Sequence, residues 1–297
     1  MNFKEPTYSD NTEDETLENE APAQPERERE REREREVPDS WVPMADEYTP
    51  TDEDSRTGLI KFLYEARDTA AKAVGNLFSS VGAETDKYIY DMPIGIEEDS
   101  DVSGAYDPGV YGIVVGRDSE DVLEFQESNG ENIRLRNRVA TTMAHEMIHA
   151  EQTVPADFPV ESFDTVGNTM MGWYGLEESM TEALGNIAMN MQVNNQSLEE
   201  SARKLEERCM NTTMPATQMA AKLIQKMGPE LLKWYLTCAK DENRKSDNKL
   251  ESTLGDRYRI FLQNMTKLYE HEIDEDVDES DYQNLLQQTE QIIDTKF

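Results

Sequence analysis

Two histidines four residues apart, in the run His145-Glu146-Met147-Ile148-His149, constrain this chain more than any other feature of its sequence. On a helix such residues lie one turn apart on one face, so their imidazoles can converge on a single ion. Glu146 borders that face, where it can accept a proton from a water acidified by a metal. The run must therefore be helical and must be packed from behind. Val139, Met143, Met147 and Ala150 recur at the spacing that provides an apolar back, and the pattern predicts a helix over 135–152. The chain holds only three histidines, so two of them meeting in this frame by accident is the weaker explanation. The third, His271, stands beside Glu272, Asp274, Glu275 and Asp276 and reads as a surface residue.

A hydrolytic zinc site takes three protein ligands and keeps one position open to water. With His271 set aside, the third ligand is sought among carboxylates downstream of His149. The segment Leu176-Glu177-Glu178-Ser179-Met180-Thr181-Glu182-Ala183-Leu184 is the best source. Met180, Leu184, Ile187 and Met191 form its apolar face, while Glu178 and Glu182, four apart, share another. One of them can bind metal while the other orients a liganding histidine. Glu177 is turned about a hundred degrees from Glu178 on a helix and ranks lower. Asp164 is the remaining rival. For a hydroxyl that stabilises developing negative charge, Tyr174 and Tyr258 are candidates, each to be weighed against simple core packing.

HEMIH followed by LEESMTEAL resembles the gluzincins, the zincin metallopeptidases in which HExxH precedes a helix bearing a glutamate ligand. Aligned on that pattern, Glu178 takes the ligand position and Glu182 the position four later, which in relatives is acidic and often lies behind a ligand; Ser179 replaces the usual glycine, and the interval from His149 is longer than in the tightest members. The resemblance covers about residues 85–195, and more loosely the helices that follow. It implies one zinc ion, Zn2+, held by His145, His149 and Glu178, with Glu146 as general base in peptide-bond hydrolysis. It further implies that the strand over 110–116 is the sheet edge that pairs with an extended protein or peptide substrate. The alternative is a zincin-like binding or structural protein that keeps the metal site without cleaving anything.

The remaining sequence fits an α+β fold, mostly helical, with a small mixed or antiparallel sheet packed beside the HExxH helix. Residues 1–54 carry 19 acidic and 6 basic side chains, few large apolar ones, and a Glu/Arg alternation over 26–36. Little there offsets the entropy of ordering, so it reads as a disordered acidic leader, with the apolar cluster Trp41, Val42, Pro43 and Met44 as a candidate point of attachment. A catalytic domain is expected over 55–271, its sheet-containing part over 55–152 and a helical lobe over 153–271. An acidic linker and a last helix over 272–297 follow. Leu59, Leu63, Ala66, Ala70, Ala73 or Val74, and Leu77 predict the first core helix, and strands are expected within 88–96, 110–116 and 122–125. Helices are expected over 176–194, 198–210, 215–227, 229–239, 257–271 and 281–294, with a break at Gly228-Pro229 and a capping box at Ser197 and Glu200.

The net charge is −34, of which −21 lies beyond residue 54. Such an excess repels phosphate backbones and anionic membranes, so neither nucleic acid nor a membrane is an expected partner. Two cysteines, Cys209 and Cys238, make no disulfide framework and suit a reducing compartment. With no apolar export segment at the N-terminus and no apolar run long enough to span a bilayer, an intracellular location is the expectation.

Overall fold

The computed structural model describes residues 41–42, 55–97, 100–107, 112–128, 132–152, 167–212, 214–237, 248–273 and 279–297. Its first long element is α1 (Ser55–Ser80), and the side chains that predicted it are the ones it buries: Leu63, Ala66, Ala70, Val74 and Leu77 are all sealed from solvent. A 3-10 turn (Lys87–Tyr90) leads from it toward the sheet, started by Asp86, whose carboxylate accepts from the Tyr88 amide.

Four strands form one sheet: β1 (Trp41–Val42), β2 (Ile94–Glu97), β3 (Ala105–Asp107) and β4 (Gly112–Gly116), in the order β1-β2-β4-β3. β2 and β4 run parallel with Ile94 opposite Ile113, whereas β1 and β3 are antiparallel to their neighbours. Ile94, Ile113 and Val115 point into the core, so the register is set by which residues are apolar. The sheet is thus mixed. The strand expected over 110–116 is β4 over its described part, and it lies inside the sheet, between β2 and β3. The edge is β3.

The strand expected over 122–125 is instead part of α2 (Glu120–Ser128). Val122 and Phe125 are buried three residues apart while Leu123 between them is 44 % exposed, which is helical and not alternating periodicity. Glu120 and Asp121 occupy the first turn, where carboxylates favour a helix N-terminus.

The HExxH helix is α3 (Ile133–Gln152). Asn132 caps it, its side-chain oxygen accepting from the amides of Arg134 and Leu135. Arg138 clips it to α2 through Asp121 and Glu124, both at 2.5 Å. Val139, Met143, Met147 and Ala150 are buried as their spacing requires. α3 packs against α1 on one side and α4 (Gly167–Asn194) on another. α4 begins well before the expected Leu176, through a glycine-containing stretch whose intrinsic helix propensity is poor. Packing overrides propensity there: a Cβ on Gly175 would sit 2.3 Å from the Thr266 Cα, so only glycine permits this helix crossing.

Four further helices and a short one complete the described chain: α5 (Leu198–Cys209), α6 (Pro215–Thr237), α7 (Lys249–Leu254), α8 (Tyr258–Ile273) and α9 (Glu279–Lys296). Ser197 accepts from the Glu200 amide at the start of α5. α6 is two helical segments joined at Gly228, whose φ of 69° and ψ of 167° break the ladder just before Pro229. Glu272, near the end of α8, accepts from the Ala216 and Thr217 amides and so caps α6 from another helix. α9 packs on α6 and α8; Ile292 and Ile293 enter the common core, and Lys222 of α6 reaches Glu290 and Asp294. No helix among the described residues is long and apolar enough to cross a membrane. The Glu/Arg tract, Asp164 and Cys238 lie outside the described residues.

Candidate metal centre

α3 and α4 cross with almost no space between them at the site. A Cβ on Gly185 of α4 would stand 3.1 Å from the His145 backbone nitrogen and 3.3 Å from its Cα, so the glycine lets the two helices touch at this point. That contact brings the third donor to the histidine pair. The Nε2 atoms of His145 and His149 lie 2.9 Å apart, and Oε2 of Glu178 lies 3.6 Å from the first and 3.5 Å from the second.

Three ligand atoms on one face of a tetrahedron with bonds of about 2.0–2.1 Å are separated by about 3.4 Å. The observed triangle matches that size, so the donor set fits a divalent metal. Two imidazole nitrogens this close repel unless a proton or a cation lies between them. His145, His149 and Glu178 form the one potential metal-holding cluster of His, Cys, Asp and Glu among the described residues. Their side chains, with that of Glu146, keep 11–20 % exposure, so the cluster is reachable from solvent.

The electrostatics favour a cation. Glu146, Glu178 and Glu182 surround two imidazoles that are neutral when they ligate. Burial opposes charge on His145, yet hydrogen bonds with Glu178 and Glu182 and the nearby Glu146 carboxylate outweigh it and hold the ring's pKa up at about 10. Burial likewise works against the Glu178 carboxylate, and its contacts with His145 and His149 overcome this and bring it down to about 2. Glu182 is also held low, against burial, chiefly by its hydrogen bond with His145.

Glu146 differs from these. Burial pushes its pKa up, only partly countered by the two histidines and the Tyr106 amide. Oε2 accepts from the Tyr106 backbone N–H of β3 at 2.8 Å, while Oε1 faces His145 Nε2 at 3.9 Å. The carboxylate is thus anchored through one oxygen and offers the other toward the donor triangle. β3 comes close enough to do this because residue 104 is glycine: a Cβ there would be 2.7 Å from the Thr142 Cγ2.

The other candidate residues fall as follows. Glu182 lies behind the donor triangle, with Oε2 3.1 Å from His145 Nδ1, and is not one of the three clustered donors. Glu177 is not in the cluster. His271 packs edge-on against Tyr282 of α9 instead of joining the other histidines. Tyr258 is buried at the start of α8, where its hydroxyl accepts from the Asn248 amide. Tyr174 is 52 % exposed and meets Tyr269 of α8 edge-on, with ring centroids 5.5 Å apart.

Tyr269 is a residue that sequence reasoning missed. Burial, then the Glu178 charge, then its contact with Tyr174 push its pKa above the usual tyrosine range, so it stays a proton donor close to Glu178. Nothing local announces it. Its helical spacing from Met265 marks only an inward-facing position, and the approach of α8 to α4 is a tertiary fact. No family model, curated protein or solved structure matches the chain.

Proposed function

We propose that this chain is a zinc-dependent endopeptidase in which His145, His149 and Glu178 hold one zinc ion and Glu146 is the general base. The observation that carries the proposal is the convergence of three donors 2.9–3.6 Å apart with the Glu146 carboxylate anchored beside them. A zinc ion in such a set acidifies water and polarises a carbonyl oxygen. Zinc is favoured over magnesium or calcium because two of the three donors are imidazole nitrogens.

The chain's own residues do the rest. Glu146 accepts the proton of the attacking water at Oε1, its Oε2 being held by Tyr106, and then delivers that proton to the leaving amine. Burial raises the proton affinity of this carboxylate, which favours its acting as the proton acceptor. Glu182 fixes His145 from behind. The Tyr174 and Tyr269 pair beside Glu178 supplies a hydroxyl for the developing oxyanion. β3, the sheet edge next to Glu146, is where an extended peptide would add by main-chain hydrogen bonds.

The test is metal content and cleavage of a peptide library, measured side by side for the wild type and Glu146→Gln. Glu146→Gln is expected to keep its zinc and lose cleavage by about a hundredfold or more. Cleavage by Glu146→Gln at the wild-type rate would remove Glu146 from the mechanism. Zinc binding without cleavage by the wild type would favour a binding or structural protein that merely keeps the metal site.

A further inference from the structure

We propose that Asn186 and Arg208 are positioning residues that, through Glu182, fix the tautomer in which His145 presents its lone pair to the metal. This rests on the metal-site proposal above and extends it to two residues on different helices, one of them on α5.

The argument is one of donors and acceptors. Arg208 lies in the last turn of α5 and, as a guanidinium, can only donate. Its Nη2 donates to Asn186 Oδ1 at 2.6 Å. That contact settles which way the Asn186 amide points, because its oxygen must face the arginine. The amide nitrogen then faces Glu182, donating to Oε1 at 2.7 Å and to the Glu182 backbone oxygen at 3.0 Å.

Glu182, an acceptor only, is thereby held by one carboxylate oxygen and turns the other, Oε2, to His145 Nδ1 at 3.1 Å. An ionised carboxylate accepts a hydrogen bond from Nδ1–H, so in the neutral ring the hydrogen resides on Nδ1. In the neutral ring that ligates a metal, Nε2 then carries the lone pair, on the side of His149 Nε2 and Glu178 Oε2. Every link has a single chemical sense, and reversing any one of them puts donor against donor or acceptor against acceptor. Asn186 is 9 % exposed, so water is poorly placed to substitute for a broken link. Arg208 thus acts on a metal ligand it does not touch.

The experiment uses the full chain, stripped of metal and titrated with cobalt(II), whose visible absorption reports both affinity and ligand geometry. Arg208→Met, which keeps the length of the side chain and removes its donors, is expected to weaken cobalt binding about tenfold and to alter the visible spectrum. Arg208→Lys should recover part of that loss. Asn186→Asp, which keeps an acceptor for Arg208 but sets a carboxylate oxygen against Glu182, should weaken binding at least as much. It carries the test should Arg208→Met fail to fold.

The deciding measurement is a double-mutant cycle: once Glu182→Gln is in place, Arg208→Met should cause no comparable further loss. Wild-type affinity and spectrum in both Arg208→Met and Asn186→Asp would overturn the proposal. So would an equal loss from Arg208→Met with and without Glu182→Gln, since that describes a residue supporting the fold alone. A wild-type chain that takes up no cobalt and no zinc would overturn the metal site itself, an outcome distinct from both.

Discussion

Glu177 and Glu178 are neighbours on one helix, yet only Glu178 turns its carboxylate onto the two histidines. The difference is the hundred-degree step between successive helical residues, which also puts Glu182 back on the site side one turn later. Glu178→Gln is accordingly expected to weaken zinc binding by more than about a hundredfold, beyond the range seen for groups that only support a ligand. Glu177→Gln should stay within about twofold of wild type, the usual reach of a substitution outside the site. Competitive titration against a chromophoric chelator measures both. Equal losses would mean that α4 presents a different face. At this scale the sequence was informative, because HExxH and a pair of glutamates four apart are periodic signals that need no knowledge of the fold. Asn186 follows Glu182 by one turn of the same helix, so its place beside that carboxylate has the same periodic origin. Tyr269 and Arg208 carry no such signal, since each reaches the site through the way α8 and α5 pack against α4.

Among the elements, α4 does most to build the site, since it meets α3 at Gly185 and α8 at Gly175. Replacing glycine by alanine in an open helix normally stabilises it by about 1 kcal/mol. Here the sign is expected to reverse. At Gly175 the new methyl would meet the Thr266 backbone at 2.3 Å, which a side-chain rotation cannot relieve, so Gly175→Ala should destabilise by about 3 kcal/mol. At Gly185 the nearest atoms are 3.1–3.4 Å away and a small shift of α3 accommodates them, so the cost should be about 1 kcal/mol. Urea unfolding of the metal-free variants checks the order, and a stabilised Gly175→Ala would contradict the close crossing. Helices were the legible elements because long amphipathic periods leave little ambiguity, and Ser197 and Gly228 marked a start and a break from their side-chain chemistry alone. The short run Val122-Leu123-Glu124-Phe125 reads as a strand in the sequence but is helical, because four residues hold scarcely one helical turn of pattern. The sheet order was illegible for a different reason. The parallel pairing of β2 with β4, and hence the edge position of β3, depends on contacts between strands that no single strand records.

The whole molecule bears a net charge of −34, and most of it belongs to the part beyond the first 54 residues. Self-repulsion of that size opposes the compact state, and dissolved salt screens it. The melting temperature is therefore expected to rise by several degrees as sodium chloride is raised from about 20 mM to about 0.5 M, over which the screening length falls from about 20 Å to about 4 Å. A flat or falling melting temperature in a calorimetric scan would mean that the surface charges are already paired. The same negative field would draw a cation toward the donor triangle. The donor triangle on α3 and α4 remains the centre of the account, and X-ray absorption at the zinc edge of the zinc-loaded chain tests it most directly. The expected spectrum has one zinc per chain, a nitrogen and oxygen shell at about 2.0–2.1 Å, and outer scattering from two imidazole rings. Sulfur at about 2.3 Å, fewer than two imidazoles, or a fully hydrated ion would contradict it.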